Sequence, residues 1–546
     1  QRSSLTSYPK IFVVPVVTLS LATAGADRYH PEKDTRAGNP RAAAESSAQH
    51  WYAEAAAGIA AKEARGSGGA AAARNVVMFL GDGMSVPTLA AARTLLGQRR
   101  GLSGEEAQLS FEAFPTLGLA KTYCVNAQVA DSACSATAYL CGAKANQGTL
   151  GVTAAVPRHD CEASLDAINR VESIAEWALA DGRDAGVVTT TRITHASPAG
   201  AYAKSANRNW EDDADMRADG QDPARCPDIA DQLVNHSPGN QFKVILGGGR
   251  RSFIPSTQVD EEGDFGRRTD GRDLIKEWQD DKESRGVSYR YVWNRDQLIQ
   301  SNASPPEYLL GLFENNHLQY HALSNLTTEP TLAELTETAI RMLSRNPRGF
   351  FLFVEGGRID HAHHDNQAQL ALDETIELAA AVERASQLLS EEDSLLVVTA
   401  DHAHVMSFNG YAARGTDVLG PSRDRDLDGV PYMTLSYANG PGARRQVSGV
   451  RPDVTLEDGF GSTEWQTHAD APLESETHGG DDVAVFARGP SHAMFSGLYE
   501  QSQIPHLMGY AACVGPGRHV CHVSHAPRAG PALAVALLPL LVLLRV

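Results

Sequence analysis

The chain has 546 residues, of which 42% are hydrophobic and 21% are charged, so it is long and apolar enough to fold around one large core or several. Its formal net charge of -19 argues against nucleic acid as a general partner, because phosphate backbones would be repelled. The seven cysteines are too few for a disulfide-built scaffold, and their odd number leaves at least one free thiol if every pairing is intramolecular.

The first 26 residues are typical of a secretory signal peptide. Lys10 precedes an apolar run from Ile11 to Leu21, and small residues follow as a cleavage site. Residues 27–73 predict an N-terminal arm, with helix-forming residues near 46–64 and linker-like sequence around them. Export also makes three N-x-S/T triplets candidate glycosylation sites, at Asn235, Asn302 and Asn325.

The last segment, residues 521–546, predicts a lipid anchor. It joins a polar spacer with small residues to the apolar tail Pro531–Leu544, which is short for a transmembrane helix. This pattern is typical of a glycosylphosphatidylinositol (GPI) attachment signal, with Ser524 as the expected attachment residue. The alternative is a short hydrophobic anchor that is retained. The expected location is the extracellular face of the plasma membrane.

Between these ends, apolar runs alternate with helix-like segments such as Leu332–Ser344 and Leu370–Leu389. Continuous apolar runs indicate strands buried on both faces of a mainly parallel sheet. The clearest predicted strands are Asn75–Leu80, Ala185–Thr190, Lys243–Leu246, Phe350–Val354, Leu395–Thr399 and Asp482–Ala487. The pattern predicts an α/β three-layer sandwich, with a large mostly parallel central sheet and helices on both faces. Residues 409–475, rich in Gly, Asp, Arg and Pro, break the pattern and predict a small inserted subdomain.

Carboxylates and imidazoles cluster beside five of these strands. Because ligands of open α/β sheets gather at the carboxyl ends of strands, the five clusters should meet at one edge. So many carboxylates would be costly to bury together without cations to neutralise them. The clusters are Gly81-Asp82-Gly83, Thr191 to Ser197, Glu355 to His364, Asp401 to His404, and Glu476-Thr477-His478.

A single cluster would allow other interpretations. Asp82 alone would more often cap a helix than bind a metal. The segment from Gly81 to Val86 also mimics a dinucleotide-binding fingerprint, but Val86 replaces its third glycine. The five clusters together favour a metal centre over either alternative.

The donor types indicate which metals would bind. Imidazole with carboxylate and no cysteine suits catalytic zinc, and Asp360 and His364 are spaced i, i+4 so that both can face one ion. An all-oxygen set suits magnesium, and its candidates are Asp82, Ser197 and Glu355.

Ser132 is the candidate nucleophile. Small, helix-compatible residues follow it, which would place its hydroxyl near a helix N-terminus that favours anions. Metal coordination can turn a serine hydroxyl into an alkoxide nucleophile. From this segment alone, the alternative that Asp131 or Ser132 merely caps the helix is equally favoured.

Taken together, these segments resemble the alkaline phosphatase family, and within it the animal, membrane-anchored members. The stretch from Val129 to Thr137 fits the family's nucleophile motif at every position. The resemblance runs from about residue 51 to about 521, with 74–520 as the catalytic domain. The other matching segments, in the family's order, are Thr189–Pro198, Val354–His364, Val398–His404 and Glu476–His478. The resemblance implies hydrolysis of phosphate monoesters at alkaline pH through a phosphoserine on Ser132, with two zinc ions and one magnesium ion.

The resemblance also implies a role for each candidate residue. One zinc ion would be held by Asp360, His364 and His478, and a second by Asp82, Asp401 and His402. Magnesium would take Asp82, Ser197 and Glu355. Arg208 would bind two phosphate oxygens. The residues expected around these groups are Asp131, His195 and His361. A remote calcium site, with a surface acidic cluster as an equal alternative, would involve Phe313, Glu314 and Glu329.

The cysteines both follow the family and depart from it. The resemblance implies the disulfides Cys161–Cys226 and Cys513–Cys521, and a free thiol at Cys141. Cys124 and Cys134 are departures, which could pair with each other or both stay reduced. The resemblance further implies a homodimer, with residues 409–475 as the variable interface subdomain.

Two other functions are less favoured by these residues. A phosphodiesterase or sulfatase of related fold is disfavoured, because sulfatases need a modified Cys or Ser in a motif absent here and diesterases usually carry Thr as nucleophile. A non-catalytic surface binding protein on a dead scaffold is disfavoured because every expected ligand residue is present.

Overall fold

A computed structural model of the chain describes Tyr29 and residues 39–67, 72–425 and 427–518. The predicted signal peptide, the predicted GPI signal with Ser524, and Cys521 lie outside the described residues.

The described part of the chain contains seventeen β-strands. They are β1 (Asn75–Gly81), β2 (Thr116–Lys121), β3 (Asp184–Arg192), β4 (Val244–Gly248), β5 (Tyr289–Val292), β6 (Tyr308–Leu312), β7 (Phe350–Gly356), β8 (Ser394–Ala400), β9 (Ala403–His404), β10 (Met406–Phe408), β11 (Pro421–Arg425), β12 (Pro431–Met433), β13 (Leu435–Gly440), β14 (Ala469–Pro472), β15 (His478–Gly479), β16 (Val483–Arg488) and β17 (Gly497–Glu500). All six strands predicted from apolar runs are present, with ends shifted by one or two residues.

Fifteen α-helices separate these strands in the same described part. They are α1 (Ala42–Glu45), α2 (Ala48–Ala64), α3 (Val86–Arg99), α4 (Ser132–Cys141), α5 (Cys161–Leu165), α6 (Ile174–Ala180), α7 (Ala196–Ala199), α8 (Asp213–Ala218), α9 (Ile229–Asn235), α10 (Leu274–Ser284), α11 (Arg295–Ala303), α12 (Leu332–Leu343), α13 (Arg358–His364), α14 (Ala368–Leu388) and α15 (Ile504–Ala512). Local sequence explains several of their starts. In α12, for example, Thr331 and Glu334 form a reciprocal capping box that satisfies free N–H groups of the first turn.

Ten strands form the central sheet, in the order β17-β2-β16-β8-β1-β7-β3-β4-β6-β5. The seven strands from β8 to β5 pair in parallel, and β16 pairs antiparallel with both of its neighbours. Every residue of β1, β7 and β8 is buried, which explains why these strands read as continuous apolar runs. The predicted large, mostly parallel sheet is confirmed.

Two groups of helices cover the sheet. One group, α3, α12 and α14, packs together and against β1, β3 and β7. The other group, α4, α6 and α15, also packs together and reaches β1, β3 and β7. This arrangement is the predicted α/β sandwich of three layers.

Residues 409–475 lie apart from the regular alternation of the sandwich. They contribute β11 to β14, and β13 joins β10 and β14 in a three-stranded sheet, while β11 and β12 form a separate pair. The role of this segment as an interface subdomain stays a prediction.

Candidate active site

The carboxyl ends of β7, β1 and β8 lie side by side and carry the centre of the site. Gly81 at the end of β1 is in register with Gly356 on one side and Ala400 on the other. Asp82 and Asp401 therefore leave adjacent strands at the same level, as parallel strands require. Gly83 has a φ of +65°, and a Cβ there would collide with the ring of His404, so the turn after Asp82 needs glycine.

Asp360, His364 and His478 meet in one cluster. Asp360 Oδ1 lies 3.3 Å from Nε2 of His364 and 3.3 Å from Nε2 of His478, and the two Nε2 atoms are 3.0 Å apart. Each ring is oriented by a main-chain carbonyl at its other nitrogen: His364 Nδ1 lies 2.6 Å from the oxygen of Glu476, and His478 Nδ1 lies 2.7 Å from that of Ala130. Protonation at Nδ1 leaves a lone pair on each Nε2 atom, and both lone pairs can bind a metal ion at one point.

A second cluster joins Asp82, Asp401 and His402 around the candidate nucleophile. His402 Nε2 lies 3.2 Å from Asp401 Oδ2 and 3.5 Å from Asp82 Oδ1. Ser132 Oγ lies 3.3 Å from the same nitrogen. The backbone N–H of Gly83 donates to Asp401 Oδ1 at 2.8 Å, which fixes the carboxylate. The serine hydroxyl thus lies directly beside a cluster of carboxylate and imidazole groups.

Glu355 and Ser197, the other two candidate magnesium ligands, are fully buried. Oxygen atoms of Asp82 and Glu355 approach within 4.8 Å of each other. The hydroxyls of Thr189 and Thr191 donate to Glu355 Oε2, so one carboxylate oxygen is held and the other is left for a ligand.

The electrostatics of these carboxylates fit cation binding. Burial, reinforced by repulsion from neighbouring acids, raises the pKa of Asp82 well above its usual value. Burial likewise raises the pKa of Asp401, and it raises that of Glu355 to about 7. Neither oxygen of Asp82 accepts a hydrogen bond from the described residues. Buried carboxylates without donors are the environment that a divalent cation would satisfy.

His404 and Glu476 complete the first cluster and were given no role from the sequence. His404 Nε2 lies 2.7 Å from Asp360 Oδ1, and its Nδ1 lies 2.6 Å from Glu476 Oε2. Burial alone would lower the pKa of His404, but Glu476 and Asp360 raise it to about 10. Burial would raise the pKa of Asp360, but His364 and the other histidines hold it well below its usual range. The only sequence signal for His404 and Glu476 was their position inside the Asp-His and Glu-Thr-His motifs.

Ser132 is the first residue of α4, and Asp131 caps the helix. The Asp131 side chain accepts from the N–H of Cys134 at 3.2 Å and of Gly148 at 3.0 Å. Its other oxygen accepts from Arg208 Nη1 at 3.0 Å. The predicted helix cap is therefore present at Asp131, and Ser132 is the first residue of the capped helix, while its role as the nucleophile stays a prediction.

Arg208 is buried and held from two sides. Besides its contact with Asp131, it donates through Nη2 to His195 Nε2 at 3.2 Å. The ring of His195 lies 5.4 Å from that of His361, edge to face. His361 in turn contacts the ring of His317 at 4.3 Å, and burial lowers the pKa of both histidines well below the usual value. His317 was not anticipated from the sequence.

Comparison with known proteins explains this geometry. The sequence model of the alkaline phosphatase family matches residues 73–514. The chain belongs to the alkaline phosphatase family. Among curated alkaline phosphatases, the membrane-bound enzyme of Bombyx mori is 68% identical over 525 residues, which cover 95% of each chain. The tissue-nonspecific isozyme of Gallus gallus is 49% identical over 86% of this chain and 90% of its own. The chain is therefore a metal-dependent enzyme that hydrolyses phosphate monoesters.

Solved alkaline phosphatases share the fold. The Thermus thermophilus enzyme superposes with a TM-score of 0.57 at 24% identity, over 80% of this chain and 91% of that chain. The enzyme of the Antarctic bacterium TAB5 superposes with a TM-score of 0.56 at 20% identity, over 82% and 99%.

The candidate calcium residues of this alkaline phosphatase also lie together. Gln319 bridges two of them, since its side chain donates to Glu314 Oε1 at 2.9 Å and its N–H donates to Glu329 Oε1 at 2.7 Å. Phe313 is buried beside Glu314. Burial, reinforced by Glu314, raises the pKa of Glu329 to about 8. Arg250 pairs with Asp260 nearby at 3.0 Å.

The cysteines of this alkaline phosphatase form two disulfides whose partners are both described. Cys161 joins Cys226, as the resemblance implies, and Cys124 joins Cys134, which settles the pairing that the sequence left open. Cys141 is buried and free. Cys513 is disulfide-bonded, and its implied partner, Cys521, lies outside the described residues.

The three candidate glycosylation residues differ in exposure. Asn235 and Asn325 are exposed, whereas Asn302 is half-buried. Among the described residues, none of the helices combines the length and the apolar character needed to cross a bilayer.

Proposed function

We propose that this alkaline phosphatase cleaves phosphate monoesters in two displacements, with Ser132 as the nucleophile. Ser132 Oγ attacks phosphorus, an Oγ–P bond forms, and the ester P–O bond breaks to release the alcohol. Water then attacks the phosphoserine, which returns inorganic phosphate and the serine hydroxyl. The observation that carries the proposal is the 3.3 Å contact of Ser132 Oγ with His402, at the N-terminus of a helix that stabilises anions.

Arg208 is proposed to bind the phosphoryl group. Its guanidinium can donate to two phosphate oxygens at once. Asp131 and His195 restrain its position, so little conformational freedom is lost when substrate binds. We propose no residue that recognises the leaving alcohol, and we therefore expect broad specificity for monoesters.

The metal assignments are proposed from donor types and burial. One zinc ion would be held by Asp360, His364 and His478, and a second zinc ion would be held by Asp82, Asp401 and His402. Magnesium would be held by Asp82, Ser197 and Glu355. When bound, these ions supply Lewis acidity that lowers the pKa of hydroxyl groups and neutralises developing negative charge. The carboxylate of Asp82, neither of whose oxygens accepts a hydrogen bond from the described residues, supports this assignment.

The test is hydrolysis of a chromogenic aryl phosphate at alkaline pH. Activity should disappear after chelation, return with zinc and magnesium, and be absent in Ser132→Ala. Ser135→Ala is the matched control, because Ser135 lies on the same helix and, within the described residues, its hydroxyl donates to the backbone carbonyl of Asp131. Normal phosphoenzyme labelling of Ser132→Ala would overturn the nucleophile assignment. Turnover of diesters in preference to monoesters would favour the phosphodiesterase alternative.

A homodimer is proposed through the subdomain at residues 409–475. Large apolar side chains are exposed there, including Tyr411 at 96%, Val447 at 71% and Leu456 at 81%. Exposed apolar patches on a soluble domain usually mark an interaction surface. Sedimentation of the enzyme should give the mass of two chains, and Tyr411→Asp should shift it toward one. A wild-type monomer would contradict the proposal.

Attachment to the outer face of the plasma membrane through a GPI anchor at Ser524 is proposed from the terminal sequences. The name of the Bombyx mori relative, a membrane-bound enzyme, supports this location. A phospholipase that cuts such anchors should release the enzyme from cells, and retention would favour a spanning tail. Glycosylation at Asn235 and Asn325 is supported by their exposure, and calcium near Glu314 and Glu329 by their burial together.

A further inference from the structure

The Cys124–Cys134 disulfide closes a short loop that ends in the first turn of α4. We call residues 124–134 the nucleophile loop. The two Cα atoms are 5.9 Å apart, and the side chains are 3% and 1% exposed. The buried apolar residues packed with them are small, namely Ala130 and Ala145, with Ala127 partly buried beside them. Ala127 and Ala130 therefore pack in the cluster of the disulfide, whereas Val125 and Ala133 of the same loop belong to the main core.

The nucleophile loop makes three contacts with the reacting groups. The carbonyl oxygen of Ala130 lies 2.7 Å from His478 Nδ1 and orients that ring. Asp131 accepts from Arg208. Ser132 itself lies 3.3 Å from His402. Three consecutive residues thus position a candidate metal ligand, the phosphate-binding arginine and the nucleophile.

We propose that the Cys124–Cys134 disulfide is a redox-sensitive positioning element, which holds these three consecutive residues in their reactive arrangement. It rests on the proposed roles of Ser132, Arg208 and His478. The disulfide touches none of the reacting atoms and acts through the backbone of the loop.

The path from the disulfide to the site is short. The N–H of Cys134 donates to Asp131 Oδ1 at 3.2 Å, so the half-cystine and the arginine-binding carboxylate share one helix turn. At the other end of the loop, Cys124 N–H donates to Ala127 and Val125 N–H donates to Ala145, both at 3.0 Å. Without the cross-link, residues 126–131 would keep few apolar contacts, and their backbone freedom would rise.

Reduction of the Cys124–Cys134 disulfide would release the nucleophile loop from this arrangement. An external dithiol breaks the S–S bond, provides two electrons and two protons, and leaves two thiols and the oxidised dithiol. Because both sulfur atoms are buried, reduction in the folded enzyme should be slower than that of an exposed disulfide.

The test compares the wild-type enzyme with Cys124→Ala/Cys134→Ala. Alanine avoids burying an unsatisfied hydroxyl in this cluster. We expect the inhibition constant for inorganic phosphate to rise about 10-fold and zinc to be lost to a chelator about 10-fold faster, as is usual when orienting groups around a metal site are disturbed. The control is Cys161→Ala/Cys226→Ala, which removes a disulfide that packs with Trp210 and Met216 instead. It should lower the melting temperature but leave the rate of zinc loss within about twofold of wild type, because its hydrophobic cluster contains no candidate metal ligand and the disulfide mainly constrains the unfolded chain.

A second measurement tests the proposal even if the Cys124→Ala/Cys134→Ala variant fails to fold. The wild-type enzyme is reduced stepwise with a dithiol, its thiols are alkylated, and the modified cysteines are mapped by mass spectrometry. Phosphate affinity should fall in proportion to alkylation of Cys124 and Cys134. A fall that follows Cys161 and Cys226, or a double variant with wild-type constants, overturns the proposal. If one of these outcomes is found while the wild-type enzyme still forms phosphoserine at Ser132, only this inference has failed, and the proposed function has not.

Discussion

His404 Nδ1 lies 2.6 Å from Glu476 Oε2. The backbone of the same glutamate forms two hydrogen bonds with a second histidine, His364. The N–H of Glu476 donates to the carbonyl of His364, and its own carbonyl accepts from His364 Nδ1. Its carboxylate also accepts from the N–H of Val405 at 2.8 Å. One buried residue therefore orients two histidines of the first cluster.

Glu476→Gln should weaken metal binding at Asp360, His364 and His478. The substitution keeps the side-chain size but removes the charge that stabilises protonated His404 beside Asp360. Loss of a partner that orients metal ligands typically lowers affinity or activity by about 10- to 100-fold. Competition with a chromogenic zinc chelator measures the affinity, and aryl phosphate hydrolysis measures the activity. Glu474→Gln, at an exposed position two residues earlier, is the control and should behave as wild type. Equal zinc retention in both variants would contradict the role given to Glu476.

The sequence predicted most of this site because its residues directly follow buried strands. Asp82, Glu355 and Asp401 could be placed at one edge of the sheet from the parallel arrangement alone. Glu476 could not, because its role depends on how the segment before β15 passes over the end of β8, where β15 pairs with β9. The partner of Cys124 could not be chosen either, since spacing permits both a disulfide and two thiols. The sandwich followed from continuous apolar runs, whereas the small strands of 409–475 carry no such run.

Arg208→Lys should weaken phosphate binding without loss of metal. Lysine keeps the charge but cannot donate in the paired geometry of a guanidinium, and it would also lose the contact with His195. We expect the inhibition constant for inorganic phosphate and the KM to rise about 10-fold, which corresponds to about 1.4 kcal/mol. Arg217→Lys is the control, because its side chain is 54% exposed and pairs only with Asp213 on its own helix. Zinc loss in Arg208→Lys would show that the arginine supports the metal cluster instead.

Relative to the metal-loaded enzyme, the metal-free chain should lose stability as pH rises from about 5 to 8. In the metal-free chain, burial raises the pKa of Glu355 to about 7, and it raises the pKa values of Asp82 and Asp401 as well. An acid whose folded-state pKa exceeds its unfolded value stabilises the fold fully below the unfolded value, and this contribution is lost as pH rises through the folded pKa. For Glu355 alone the loss is about 3 kcal/mol. Chemical unfolding of the chelated enzyme at pH 5 and pH 8 measures it.

The metal-loaded enzyme is the control for that experiment. Bound cations would hold the carboxylates ionised, so its stability should not fall over the same range. Buried His317 and His361 have lowered pKa values and add stability to both enzymes as pH rises, so the quantity compared is the difference in stability between the chelated and the metal-loaded enzyme. A difference that is the same at pH 5 and pH 8 would show that burial does not raise the pKa values of these carboxylates in the folded chain.

His321 should give the enzyme a separate loss of stability at alkaline pH. Its Nδ1 lies 2.8 Å from Asp373 Oδ2, and this hydrogen bond, helped by Glu377, raises the pKa of His321 to about 9 although burial opposes it. A raised histidine pKa stabilises the fold fully below the unfolded value near 6.5, and the contribution is lost as pH rises through 9. The side chain is 34% exposed, so we discount the shift for solvent screening and expect about 1 kcal/mol.

His321→Gln should remove this part of the pH dependence in the metal-loaded enzyme between pH 6 and pH 10. Glu374 and Glu377 titrate in the same cluster, and burial raises their pKa values, so they add a slope of their own to both proteins. The difference between wild type and variant therefore reports His321 together with its effect on Glu377, whose pKa His321 lowers. Asp373→Asn should remove the same component, because the imidazolium then lacks its main partner, while Arg99 loses its partner at every pH in this range. If both variants keep the full wild-type slope, the proton on His321 is not held by Asp373, and the alkaline loss arises elsewhere.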